Sequence, residues 1–186
     1  APELPRLQAM CNAMIHRGPD SEGTDIRNGV ALGMRRLSII DLEARSSQPL
    51  QVDDDWIVFN GELYNYVELT QEFELKARLA TGSDFEPLLH LYASQGPSAF
   101  SRLRGMYAFC LIGGDGQTWL ARDPFGIKPL YRQGHDFASE PRALKCGPLQ
   151  LDKAQQLLDL PGTRLVVRTS SRSCGSARLN HRQGLP

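Results

Sequence analysis

Residues 106–122 read MYAFCLIGGDGQTWLAR. An apolar run, a Gly-Gly-Asp-Gly turn and a second run ending in an arginine predict a β-hairpin. Upstream, WIVFN at 56–60 reads as a short apolar strand that stops at Asn60-Gly61, a turn signal. GVALGMRRLSIID at 29–41 reads as a strand pair, or as a strand and an extended segment. Ala77–Thr81, Leu130-Tyr131 and Phe137-Ala138 are short strand candidates.

Helical spacing appears between these strands. Leu4, Leu7, Met10, Cys11, Met14 and Ile15 recur on one face, and Gly18-Pro19 in HRGPD ends that helix. Asn65-Tyr66-Val67-Glu68 has the form of a capping box, with a helix to about Leu75. Ser83-Asp84-Phe85-Glu86 is a second one, opening a helix through Tyr92 that ends near Gly96. Pro87 fits the first turn, where backbone N–H groups lack helical partners. From Leu144 onward, helix and loop are expected. Hairpins mixed with helices give an α+β class, antiparallel sheet with helices packed on it.

The chain has 186 residues, enough for one domain with a full core. Lys+Arg and Asp+Glu are both 21. Zero net charge gives no electrostatic reason to expect nucleic acid or an anionic membrane as partner. Small anionic or zwitterionic substrates need local charges only. No apolar run is long enough to cross a bilayer, and IHRGPD interrupts the only candidate signal core, so a cytoplasmic protein is expected. Cys11, Cys110, Cys146 and Cys174 form no CxxC pair and no metal spacing, and no metal site is expected. Cys11 and Cys110 sit in apolar patterns, as small buried hydrophobes do. From about Arg168 the chain turns basic and Ser/Gly-rich, which predicts a solvated tail over 168–186.

Three stretches could carry chemistry. Asn60-Gly61 can aim a side-chain amide and a backbone N–H in one direction, as an oxyanion hole does; a plain turn is the alternative. An arginine in RRLSII, 35–40, could form a fork for a carboxylate, or snorkel at the surface. Asp84 could cap a helix, or hold a substrate ammonium. Together they suit an α-amino acid whose side-chain amide is hydrolysed.

HRGPDSEG, RRLSIIDL, QPL, FNGELYNYVEL, TGSDFE, RGMYAF, ARDPFGIKPLY and FASEPRAL stand in this order over roughly residues 7 to 145. In these the chain resembles the N-terminal glutaminase domain of asparagine synthetase, a class II glutamine amidotransferase. The resemblance implies a four-layer αββα sandwich of the N-terminal-nucleophile type, over 1–167 here. It implies that Arg36 binds the glutamine α-carboxylate, with Leu37, Ser38, Ile39 and Ile40 lining the same wall. Asn60 and Gly61 would form the oxyanion hole, and Glu62 and Asp84 would hold the amino and amide groups. The RDPFGIKPLY loop would help to shape the site.

The family's nucleophile is a cysteine at the first position of the mature chain, with the α-amine as base. Its thiolate attacks the amide, ammonia leaves, and a glutamyl thioester remains. Residue one here is Ala1. Truncation ahead of Ala1 is the favoured expectation; an inactive scaffold or glutamine-binding module, and a β-lactam-forming relative, are the alternatives. Asparagine synthetases continue into an ATP-pyrophosphatase domain with an SGGxDS-type loop, absent from this sequence. ATP and Mg would belong to that domain, with none needed in this one. The implied partners are L-glutamine and the ammonia-accepting synthetase domain or subunit, and a homodimer is implied as well.

Overall fold

In a computed structural model of the protein, strand β5 (Gly105–Ile112) is buried from Tyr107 to its end. A strand apolar at every position needs cover on both faces, and the alternation of its side chains shows what covers each. Tyr107, Phe109 and Leu111 enter one core, and Ala108, Cys110 and Ile112 enter another. The structure describes residues 4–37 and 47–144, with the backbone of 155–156 and 166–170.

The expected hairpin forms between β5 and β6 (Gln117–Arg122), Ile112 facing Thr118. On its other side β5 pairs antiparallel with β4 (Asp55–Leu63), which pairs with β3 (Leu50–Val52). β10 (Val166–Ser170) adds to β6, giving the order β10-β6-β5-β4-β3. This strand crosses the start of the solvated tail expected at Arg168. Residues 171–186 lie outside the described residues.

Helices α2 (Tyr66–Glu72) and α3 (Glu86–Gln95) cover the outer face of this sheet. Phe59 stacks on Phe85 at 5.0 Å and on Phe109 at 6.0 Å between ring centroids, tying β4 to the cap of α3 and to β5. On the inner face lies the hairpin of β1 (Ser21–Arg27) and β2 (Val30–Arg36), whose Leu32 is fully buried against Val58, Cys110 and Leu120. Outside that hairpin runs α1 (Leu4–Ala13). Gly33 lets α1 approach, since a Cβ there would lie 2.6 Å from the Cys11 sulfur. A small sheet of β7 (Tyr131–Gln133), β8 (Asp136–Ala138) and β9 (Gln155–Gln156), with α4 (Pro141–Leu144), packs beside α1 through Met10, Ala138 and Leu144. The layers run helix, sheet, sheet, helix.

Several local expectations give way to tertiary contacts. β4 does not stop at Asn60-Gly61 but runs to Leu63. Gly61 sits at φ +147°, and a Cβ on it would meet the Met106 carbonyl oxygen at 2.0 Å, so the glycine serves strand approach rather than a turn. Asn65 makes no capping bond. Its amide instead donates to the Arg102 carbonyl and accepts from Arg104 N–H, both at 2.9 Å, so α2 is anchored from outside. α2 ends at Glu72, and Leu75–Ala77 is a 3-10 turn where a strand over Ala77–Thr81 was expected. α3 ends at Gly96 (φ +61°), as the glycine predicts.

Candidate active site

β4 carries the centre of the site. Trp56 and Val58 point into the inner core, and strand alternation puts Asn60 and Glu62 on that same side. Gln48 holds the strand just before Asn60. Its side-chain amide donates to the Phe59 carbonyl at 3.0 Å and accepts from Phe59 N–H at 2.5 Å, imitating a neighbouring strand. The Asn60 amide donates to the Ser139 hydroxyl at 3.4 Å, which brings the end of β8 against β4.

Leu63 N–H donates to Asp84 Oδ2 at 2.5 Å, so the loop before α3 is pinned to the end of β4. Burial pushes the Asp84 carboxyl up from its ordinary range; the Leu63 N–H opposes this, and the negative charge of Glu62 adds to it. Asp84 is thus bound to the backbone next to Glu62, the residue after Asn60-Gly61, and feels the Glu62 charge. A carboxylate pair of this kind is suited to receive a cation.

The adjacent arginines of β2 face opposite ways. Arg35 is engaged with the protein itself, donating to the Gly18 carbonyl at 2.9 Å and to Glu22 Oε2 at 2.8 Å. Gly18 fits because a Cβ there would lie 2.4 Å from the Arg35 carbonyl carbon. The HRGPD turn is thereby clasped to β2, with Asp20 N–H donating to the Arg36 carbonyl at 3.1 Å. Arg36 falls on the face of Leu32 and Met34, the inner layer that also holds Asn60 and Glu62. The Arg27 guanidinium lies 4.3 Å over the Trp56 ring, which sets the end from which β2 and β4 run. Six residues on from Val30 and from Trp56, about 20 Å of strand, come Arg36 and Glu62. Leu37 is exposed, and Ser38, Ile39 and Ile40 lie outside the described residues.

The RDPFGIKPLY loop is held from within. Asp123, fully buried, accepts N–H bonds from Phe125, Ile127 and Lys128 at 2.9–3.1 Å and from Tyr107 at 3.2 Å. Cys11 and Cys110 are buried; burial pushes the Cys11 thiol up to about 11 and the Cys110 thiol well above its ordinary value. Neither supplies a thiolate near neutral pH. Among the described residues no group of His, Cys, Asp and Glu is placed to hold a metal ion, and no helix is long and apolar enough to cross a membrane.

Ser139 and Gln48 escaped the residue-level reading, although both lie in stretches quoted for the resemblance, FASEPRAL and QPL. Their partners are distant in sequence, so no local signal could assign their contacts.

A family model described as a glutamine amidotransferase domain matches residues 1–169. Asparagine synthetase [glutamine-hydrolyzing] 1 of Bacillus subtilis is 45% identical over 157 residues, covering 79% of this chain and 25% of that protein. Asparagine synthetase B of Escherichia coli is 40% identical over 151 residues, covering 76% of this chain and 26% of that protein. The chain therefore spans about a quarter of the length of these relatives. Among solved structures, the glutamine phosphoribosylpyrophosphate amidotransferase of B. subtilis aligns over 91% of this chain and 47% of its own, with a TM-score of 0.64 at 21% identity. That likeness is one of fold, the αββα sandwich of the N-terminal-nucleophile type. The chain belongs to the glutamine amidotransferase family, as a domain of the kind found in asparagine-synthetase-like proteins.

Proposed function

We propose that the inner face at the end of β4, beside β2 and the Asp84 loop, binds L-glutamine. The carrying observation is Asp84 anchored on Leu63 N–H beside Glu62, one residue past Asn60-Gly61 on a continuous strand. In this reading Arg36, with Leu37 and the Ser38–Ile40 segment, receives the α-carboxylate. Glu62 and Asp84 receive the amino and amide groups. The Asn60 amide and Gly61 N–H face the carbonyl oxygen as it gains negative charge. A chain-starting cysteine thiolate adds to the amide carbon, ammonia leaves, and water cleaves the thioester to glutamate. The ammonia passes to a synthetase domain that uses ATP and Mg. Asparagine is the proposed product of that domain, in a cytoplasmic, dimeric protein.

A second reading is a domain that binds glutamine without cleaving it; among the described residues the cysteine thiols, Cys11 and Cys110, are buried. The test compares this chain with the same chain preceded by a cysteine-led segment. Ammonia release from glutamine by the second, lost on Asn60→Ala, supports the glutaminase. Binding by both chains with release from neither supports the binding module.

A further inference from the structure

Glu86 fits the form of a capping box but does another job. A capping box would have its carboxylate accept the Ser83 N–H; here Ser83 N–H donates to the Thr81 hydroxyl oxygen at 3.1 Å. The Glu86 side chain, 1% exposed, turns back further. Oε1 accepts Ala80 N–H at 2.6 Å, and Oε2 accepts Thr81 N–H at 2.7 Å and the Thr81 hydroxyl at 2.5 Å. Behind it, one helical turn on, the buried His90 ring stands 3.7 Å from Oε1, and neither ring nitrogen has a hydrogen-bond partner among the described residues. The carboxylate is enclosed, with the loop on one side and the imidazole on the other.

The loop therefore has two anchors. Glu86 ties residues 80–81 to the start of α3, and Asp84 ties the other end to Leu63 at the end of β4. Between them lie only Gly82 and Ser83. With so short a span, the position of the first anchor fixes where the Asp84 carboxylate stands relative to Glu62.

We infer that Glu86 is a positioning residue for the amine side of the glutamine site, acting through the 80–83 loop on Asp84. This rests on the reading that Glu62 and Asp84 receive the amino and amide groups, with Asp84 on the amine. A glutamine side chain at 86 offers one acceptor oxygen where the carboxylate offers two. One of the two loop N–H groups would then face an NH2 donor, and the loop would move. A buried donor left without a partner is not a neutral change.

The test is calorimetric titration of the full chain with L-glutamine and with 4-carbamoylbutanoate, the same molecule without its α-amine. The unaltered chain should prefer glutamine. Asp84→Asn should remove most of that preference. Glu86→Gln should weaken glutamine about tenfold while leaving the amine-free compound unaffected, with a cooperative unfolding transition retained. Equal weakening of both compounds, or none of either, overturns the inference and assigns Glu86 a purely structural role. If Asp84→Asn leaves the preference intact, the amine-site reading itself falls; if Asp84→Asn removes it and Glu86→Gln does not, only the positioning role falls. Should Glu86→Gln fail to fold, Thr81→Val deletes one donor of the clamp and should shift the preference the same way by less. An unchanged preference in Thr81→Val overturns the inference, and no glutamine binding by the unaltered chain overturns both.

Discussion

Two loops of this molecule are wound around buried carboxylates, and they differ in where their second charged group goes. In the loop after β6, Asp123 collects three N–H groups of its own loop. Its neighbour Arg122 donates back to the carbonyls of Lys128, at 2.7 Å, and Gly126. Asp123 also accepts Tyr107 N–H from β5, so this carboxylate fastens the loop to the sheet, and the loop's outward side chains, Phe125 and Ile127, are apolar and exposed. In the loop before α3, Glu86 does the same internal work for Ala80 and Thr81. Asp84, however, reaches out to β4 and stands beside Glu62. One device makes a rigid connection in the first case. In the second it leaves a charged group at the proposed site.

The largest effect should come from breaking the loop wound on Asp123. Asp123→Ala leaves four buried or half-buried N–H groups without their acceptor. It should cost about 4 kcal/mol of stability, read by urea unfolding. A midpoint close to that of the unaltered chain would show that the loop holds without its carboxylate.

Gly61→Ala should come next. The added Cβ meets the Met106 oxygen at 2.0 Å, on a backbone at φ +147°. A loss of about 3 kcal/mol is expected in the same measurement. An alanine tolerated there would mean that β4 and β5 are further apart than described.

Arg36→Ala should act on binding rather than on folding. Glutamine affinity should fall by about 2 kcal/mol, the worth of a hydrogen bond to a charged group. The unfolding midpoint should move little, because the HRGPD turn keeps its clasp on the Arg35 side chain. The reverse pattern, stability lost and affinity kept, would exchange the roles of the two arginines.

The smallest effect is a slope with pH. Burial raises the folded Asp84 carboxyl above its unfolded value. As pH rises from the ordinary carboxylate range through the raised value, the folded chain holds more protons than the unfolded chain, so stability falls. Asp84→Asn should remove that share of the slope. Over the same window glutamine binding should strengthen, because the carboxylate becomes available to the ligand ammonium. A stability that rises across the window because of Asp84 would contradict its burial as the main cause.

Where local pattern and tertiary demand agree, the elements can be read from the residues. The β5–β6 hairpin has its glycine turn, α1 its apolar spacing, and α3 its Gly96 stop. Where they compete, contact with another element decides. Asn60-Gly61 has turn chemistry, but the approach of β4 to β5 requires a glycine in mid-strand. Asn65 and Glu86 have capping-box spacing, but their side chains bind Arg102, Arg104, Ala80 and Thr81 instead. Within the site, Asn60 and Glu62 share a face by strand alternation alone. The Asn60–Ser139 and Phe59–Gln48 contacts join residues 79 and 11 positions apart, and no local pattern encodes them.

The proposed glutamine site is the inner face at the end of β4. Its most direct test is the change in backbone amide signals of the isotope-labelled chain as L-glutamine is added. Shifts should gather at Arg36, Leu37, Asn60 to Leu63 and Asp84. Shifts gathered on the outer surface of α2 around Tyr66, Val67 and Thr70, or no shifts at all, would contradict it.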